Sequence, residues 1–405
     1  MGICIKAALR IIEENVKKVS FEIIPIENAQ TRICAQEVYA KYSLPNYNNS
    51  AMDGYALIFD DNSKEFEVID TILAGSNIQP SIKKGTCVKI MTGARVPSSA
   101  SAVIPIELVE HINNRNIKVN SNIKKNQHIR FIGEDIKEND HLLHDGDEIN
   151  FATITILASQ GITHIKVYRQ PKIAVFTSGD ELKLHYEQIE DYQIYNSNTP
   201  TLLARSKELG ANVTFVGMSN DDVDSLKEMI VNSLDADLII TSGGVSVGDA
   251  DYTKEAFNSF DMETFFDGIT IKPGKPTVFG KINDTLILNL PGNPLAAALI
   301  FEVFGKAILQ ILTGNKNIYH NTLYTKISED LPNKKGRTTI IPGFFDGEFF
   351  TPSEKRLPGM VGVLHNCNSL MILDKHQDLI KKDSSVKILP INWKFFTNKP
   401  KDFFN

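Results

Sequence analysis

Residues 238–244, LIITSGG, restrict the architecture of this chain more than any other stretch. An apolar run from Leu238 to Ile240 breaks at Thr241-Ser242-Gly243-Gly244. A short apolar run that opens into a Gly-Gly turn reads as a buried parallel strand feeding a loop. The same rhythm recurs on either side. KIAVFTSGDEL is a strand running into a Ser178-Gly179-Asp180-Glu181 turn, and TPTLLARSKELG is a helix with Pro200 in its first turn and Gly210 at its end. NVTFVGMS is a strand, Asp221-Asp222 a loop and DDVDSLKEMIVNSL a helix. TLILNLPGNPLAAALIFEVFGKAILQIL is a strand, a loop with Asn293 before Pro294, and a long helix.

Alternating strand and helix units predict a mostly parallel sheet, with ligands beyond the carboxyl ends of its strands. TSGDEL, the Asp221 loop, TSGGVSVGDAD and LPGNP all fall at that edge. The Gly-Gly turn is followed by Asp249 and Asp251, and later by Lys272-Pro273-Gly274-Lys275-Pro276. Glycines let backbone N–H groups approach an anion, carboxylates hold a divalent cation, and lysines neutralise phosphate or oxyanion charge. The combination suits a phosphorylated substrate handled with a metal ion.

The rest of the chain is less repetitive. Ala8, Leu9, Ile12, Val16 and Val19 form one stripe at helical spacing and predict an amphipathic helix over 5–19. FEIIPI and RICAQEVYA read as extended, and LPNYNNSAMDGYAL, with its asparagines and Asp53-Gly54, as a loop. FEVIDTI, CVKIMTG and SAVIPIE predict a β-rich module closing near residue 135, with Thr92 at a strand end where a hydroxyl can face a ligand. NNRNIKVNSNIKKNQ reads as a loop, and RFIGED as a turn with two acids, Glu134 and Asp135. DEINFATITILASQG predicts a helix capped by Asn150 and stopped by Gly161, leading into the strand HIKVY. From about residue 316 turns and strands return, and Trp393 is read as a packing residue.

The formal charge of −6 argues against a broad nucleic-acid surface. Cys4, Cys34, Cys87 and Cys367 are scattered without a CxxC pair, which suits a reducing cytosol and provides no zinc site. The N-terminal stretch carries charges throughout, so neither a signal peptide nor a membrane span is expected.

NNSAMDGYA, KIMTGARVP, GEDI, TSGDEL, SNTPTLLA, SGGVSVGDADYTK, IKPGKP and LPGNPLAA occur in an order that resembles the MoeA family, the molybdopterin molybdenumtransferases, of which the C-terminal region of gephyrin is the animal relative. The resemblance runs through nearly the whole chain. It implies an α/β multidomain fold: a central MoaB/MogA-like parallel-sheet α/β domain at 169–315, a β-rich module at 48–135, and a small β-barrel-like domain at 316–405. Residues 1–47 and 136–168 would form an N-terminal helix and extended linking domain. It also implies insertion of molybdate into adenylylated molybdopterin, dependent on Mg2+, with release of AMP.

By the same resemblance, Glu181, Asp221, Asp249 and Asp251 would hold Mg2+ or position water, and Lys272 and Lys275 would face molybdate or phosphate oxygens. Ser178, Gly179, Ser242, Gly243, Gly244, Ser246, Pro291, Gly292 and Asn293 would bind the substrate. Asp53, Thr92 and Asp135 would reach in from the second subunit of a homodimer. A molybdopterin-adenylating protein and the molybdoenzymes that receive the cofactor are implied partners. The chain departs from the family pattern at Asn48, where an aspartate is usual, at Pro342, where an arginine is usual, and over 358–362, where a Gly/Ser-rich turn is usual. The last two departures motivate a second reading: a molybdopterin-binding protein with weakened or lost insertion chemistry, or a tungstate-inserting variant. Arg337 or Arg356 would be the substitutes for the missing arginine.

Overall fold

The computed structural model describes residues 2–59, 63–243 and 252–393. These form two compact units, one made of Gln36–His144 and Ala152–Thr163, the other of the remainder.

The smaller unit is built on a six-stranded sheet in the order Ala102–Pro105, Gly54–Leu57, Thr86–Ile90, Glu65–Ile72, Asn116–Val119, Val109–His111. One face packs Tyr55, Leu57, Phe66, Cys87 and Ile104, and the other packs Ile72, Val88, Ile90 and Val103. The Asn-rich segment expected to be a loop contributes the strand Asn116–Val119. Its Ile117 and Val119 alternate with polar neighbours and are fully buried, a period of two that the surrounding asparagines obscured. Of RICAQEVYA only Val38–Tyr39 pairs as a strand, with isolated bridges at Ile33 and Cys34. The helix read over DEINFATITILASQG is present as Phe151–Ser159.

The larger unit opens with the helix Ile5–Asn15. It ends short of the stripe that defines it, because the chain turns extended at Val16 and Val19 N–H bonds to Leu312 O. Both valines are still buried in the same cluster as Ile12.

At the centre is a six-stranded sheet in the order Asn212–Ser219, Lys172–Ser178, Leu238–Ser242, Thr285–Leu290, Val278–Ile282, Glu263–Asp267. The first four strands are mutually parallel, as the repeated units require. The last two are antiparallel, joined to the fourth through a tight turn at Asn283, whose φ of 52° suits a two-residue hairpin. Side chains alternate strictly between two cores. Ile173, Val175, Leu238, Ile240, Leu286 and Leu288 face Leu202 and the long helix Pro294–Leu312, while Ala174, Phe176, Ile239 and Ile287 face Leu226, Ile230 and Phe257.

The helix Pro294–Leu312 is apolar and long enough to span a membrane by composition alone, but 83% of that stretch is buried inside the protein, so it is a core helix. A π-turn at Phe301–Gly305 interrupts it, and the Glu302 carbonyl there accepts a hydrogen bond from His320 Nε2 at 2.7 Å. The Glu302 carboxylate pairs with Arg205 Nε at 2.6 Å.

The final strands close into a five-stranded barrel. Thr338–Phe345, Phe349–Pro352, Leu323–Ile327, Ser385–Pro390 and Ser369–Leu373 pair in sequence, and the last pairs back to the first. Ile271–Lys272 joins this barrel as a parallel neighbour of Thr338 and Thr339. Trp393 packs as expected: its ring stacks on Phe345 at 5.2 Å and its Nε1 donates to Ser369 Oγ at 2.9 Å.

Leu288 is fully buried in the middle of the fourth parallel strand. Leu288→Ala should lower unfolding stability by about 2–5 kcal/mol, read as a lower urea midpoint, whereas a midpoint unchanged from the parent would contradict this placement of the core.

Candidate active site

The parallel strands run Lys172–Ser178, out to the edge with Asn212–Ser219, then back across to Leu238–Ser242 on the other side of the first. The chain therefore switches direction between the carboxyl ends of the first and third strands, where an open α/β sheet leaves a crevice. A cavity of about 410 Å³ sits there. Four separate turns wall it: 177–182 after the first strand, Asp221 after the edge strand, Ser242 and Gly243 after the third, and 291–294 after the fourth.

Close backbone packing builds the rim. Gly243 has φ +104°, and a Cβ there would lie 2.6 Å from the Ser178 carbonyl oxygen, so only glycine fits. Thr177 Oγ1 donates to Ser242 O at 2.6 Å, satisfying a carbonyl at the strand end. Asn198 Nδ2 donates to Gly292 O at 2.7 Å and to Ser242 Oγ at 3.2 Å, which ties the third-strand turn to the fourth-strand turn. Asn198 itself is buried at the start of the helix Asn198–Glu208. The helix that begins at Pro294, with Asn293 as its N-cap, opens onto the same cavity. Two helix N-termini and strand-end amides form a favourable lining for an anion.

Side-chain charge in the described lining is acidic. Glu181 is exposed and Asp221 half-buried, and neither lysine, arginine nor histidine occurs among the lining residues described. The neighbouring Asp222 is committed to capping the helix Val223–Val231 by accepting from Ser225 N–H at 2.8 Å, so Asp221 is the acid of that pair that faces the cavity. Two carboxylates lining one anion cradle are oxygen donors of the kind a hard cation such as Mg2+ takes.

Of the residues singled out in the sequence, Ser178, Gly179, Glu181, Asp221, Ser242, Gly243, Pro291, Gly292 and Asn293 all line this cavity. Gly244, Ser246, Asp249 and Asp251 lie outside the described residues. Lys272 and Lys275 are exposed on the segment that supplies Pro276 to the cavity, and do not themselves line it.

Asp53, Thr92 and Asp135 belong to the other unit. The Thr92 hydroxyl donates to Asp53 Oδ1 at 2.8 Å and its N–H at 2.7 Å, so it braces that carboxylate. The backbone and side-chain hydrogen bonds from Thr92 hold the Asp53 carboxyl below the usual range. Asp135 is exposed, with its N–H on Leu44 O at 3.0 Å.

Asn48, the first departure, accepts from Ile132 N–H through Oδ1 at 2.9 Å, the same bond an aspartate would make. Pro342 is a buried barrel-strand residue opposite Leu370, and the Pro342 carbonyl accepts from Ser353 N–H at 2.9 Å. It does not line the cavity, and neither do Arg337 and Arg356. The altered turn at 358–362 reaches the site's wall: Leu295 N–H donates to Pro358 O at 2.9 Å, one residue past Pro294.

Thr177, Asn196 and Asn198 also line the cavity, though none is among the residues that the sequence marks for the site. The signal for Asn198 was present in SNTP, where a polar residue stands immediately before the helix-starting Thr199-Pro200.

Comparison with known proteins gives a consistent result. Residues 3–161 match the model for the MoeA N-terminal region (domain I and II), and residues 174–310 match the one for a probable molybdopterin binding domain. A molybdopterin molybdenumtransferase of Haemophilus influenzae is 32% identical over 96% of this chain and 98% of its own length. One from Staphylococcus epidermidis is 32% identical over 92% of this chain and 91% of its own. A solved structure of the molybdopterin biosynthesis MoeA protein from Pyrococcus horikoshii is 26% identical and covers 97% of this chain with a TM-score of 0.84.

Because Asn198 joins two turns from a buried position, Asn198→Ala should cost about 1–3 kcal/mol, seen as a lower thermal midpoint. A variant as stable as the parent would show that these hydrogen bonds do not hold the rim.

Proposed function

The chain belongs to the MoeA family of molybdopterin molybdenumtransferases, enzymes of molybdenum cofactor biosynthesis, and we propose that it inserts molybdate into adenylylated molybdopterin at the cavity between its strand ends, with Mg2+ bound and AMP released. The observation that carries this reading is the meeting of nine expected residues, from four turns distant in sequence, in one cavity at the switch point.

The reaction brings two anions together and cleaves a phosphoanhydride, so the site must offset their mutual repulsion. The amides around Gly243 and Gly292 and the two helix N-termini cradle the phosphate of the pterin substrate. Glu181 and Asp221, together with Asp249 and Asp251, would hold Mg2+ and orient water near the anhydride. The ion, when bound, neutralises developing charge on phosphate oxygen. Lys272 and Lys275 attract the molybdate oxyanion from the exposed segment beside Pro276.

In the same reading the working enzyme is a homodimer, and Asp53, Thr92 and Asp135 serve the cavity of the second copy. The protein works in the cytoplasm, in keeping with four free cysteines, and exchanges substrate and product with a molybdopterin-adenylating protein and with molybdoenzymes.

Incubation with adenylylated molybdopterin, molybdate and Mg2+ should release AMP. Glu181→Gln and Asp221→Asn should each slow release by roughly 100-fold with little change in thermal midpoint. Absence of AMP from the parent protein, or undiminished rates in both variants, would overturn the reading. Mixing the slowed Asp53→Asn and Glu181→Gln proteins under subunit exchange should raise AMP release above that of either alone; no recovery would contradict the shared site.

A further inference from the structure

In the smaller unit, Val38–Tyr39 pairs antiparallel with His141–Leu143, with Tyr39 opposite His141 and Val38 opposite Leu143. The register slips by one between those pairs, which marks a β-bulge. Side chains along a strand alternate between faces, so in a regular ladder His141 and His144, three residues apart, would point to opposite sides. The bulge resets that alternation. It carries His144 to the position across from Glu37, on the face that Tyr39 and His141 already share.

The contacts follow from this. Glu37 Oε2 is hydrogen-bonded to His141 Nε2 and lies 3.3 Å from His144 Nδ1. The two imidazole rings lie 3.8 Å apart between centroids, tilted by 34°, and the Tyr39 ring meets His141 edge-on at 4.9 Å. One potential ligand atom from each of Glu37, His141 and His144 lies within 4.8 Å of the others.

We propose that Glu37, His141 and His144 form a second metal site, for a borderline transition-metal ion of the Zn2+ class, distinct from the oxygen-donor site for Mg2+. Two imidazole nitrogens and one carboxylate oxygen match the preference of Zn2+ and disfavour Mg2+, which takes oxygen ligands and retains water. Ligand atoms around tetrahedral Zn2+ stand about 3.4 Å apart, given metal–ligand lengths near 2.0–2.1 Å. The Glu37–His144 spacing of 3.3 Å already meets this, and the three ligand atoms lie close enough for small side-chain adjustments to complete the set. Side-chain exposures of 46% for Glu37 and 62% for His144 leave a path for the ion and room for a water ligand. The bound ion would clamp a two-stranded ribbon whose ladder is only two pairs long. The cysteines, which carry most zinc sites legible in a sequence, take no part: three are buried and apart. This site stands independently of the function assigned to the cavity.

The test is titration of the full-length, chelator-stripped protein with Zn2+ in excess Mg2+, with Co2+ absorption as a second readout. The parent should bind one equivalent of Zn2+ at this site and give visible Co2+ bands. His141→Gln and His144→Gln should weaken binding beyond the roughly 10-fold that loss of even an outer-shell partner costs, and abolish those bands. His376→Gln, an exposed histidine in the barrel segment, should behave as the parent does. Both cluster histidines are at the surface of the ribbon, and unchanged thermal midpoints of the metal-free variants confirm that they fold. No Zn2+ uptake by the parent, or uptake unaltered in both variants, would overturn the proposal.

Discussion

The site depends on how closely two strand ends can approach. After Ser178 and after Ser242 the neighbouring parallel strands must part to leave a crevice, yet their turns stay in van der Waals contact. Gly243 makes this possible, because any side chain there would collide with the Ser178 carbonyl. The parting strands leave backbone groups that a sheet would otherwise satisfy. Thr177 takes the Ser242 carbonyl, and Asn198 takes the Gly292 carbonyl and the Ser242 hydroxyl. Each buried polar group left unmatched would cost about 1–3 kcal/mol, so these hydrogen bonds fix the cavity's shape as well as lining it.

The electrostatics follow from that backbone arrangement. Strand-end amides and two helix N-termini provide partial positive charge without a basic side chain in the described lining. Full negative charge comes from Glu181 and Asp221. A lining of that kind receives an anion and a cation together better than either alone, the requirement for cleaving a phosphoanhydride beside an oxyanion. A loop between barrel strands braces the wall through backbone: the Pro358 carbonyl accepts from Leu295 N–H. The departures at Pro342 and Asn48 fall on positions whose hydrogen bonds are satisfied as they stand, and Pro342 is not part of the cavity's described lining.

Much of this was legible in the sequence because the period of the central domain is plain. Alternating apolar residues in Lys172–Ser178, Leu238–Ser242 and Thr285–Leu290 face two cores in turn, and each strand ends at a turn rich in glycine, serine or acid. Signals failed where a local pattern competed with tertiary context. Asparagines masked the strand Asn116–Val119, whose two inward residues are too few to stand out. The helix at Ile5 stops before its apolar stripe does, since Val16 and Val19 find the same core from an extended backbone. The Thr92–Asp53 hydrogen bond joins residues 39 apart, a pairing that no local pattern announces. The grouping of Glu37, His141 and His144 was equally hidden, because it rests on one bulge that changes which face a side chain occupies.

A crystal structure of the protein soaked with adenylylated molybdopterin tests most directly whether the cavity at the switch point seats the pterin substrate. The ligand's phosphates should lie against the turns at Ser178, Gly243 and Gly292, with Glu181 and Asp221 facing the anhydride. Ligand density seated elsewhere, with this crevice holding only solvent, would contradict it.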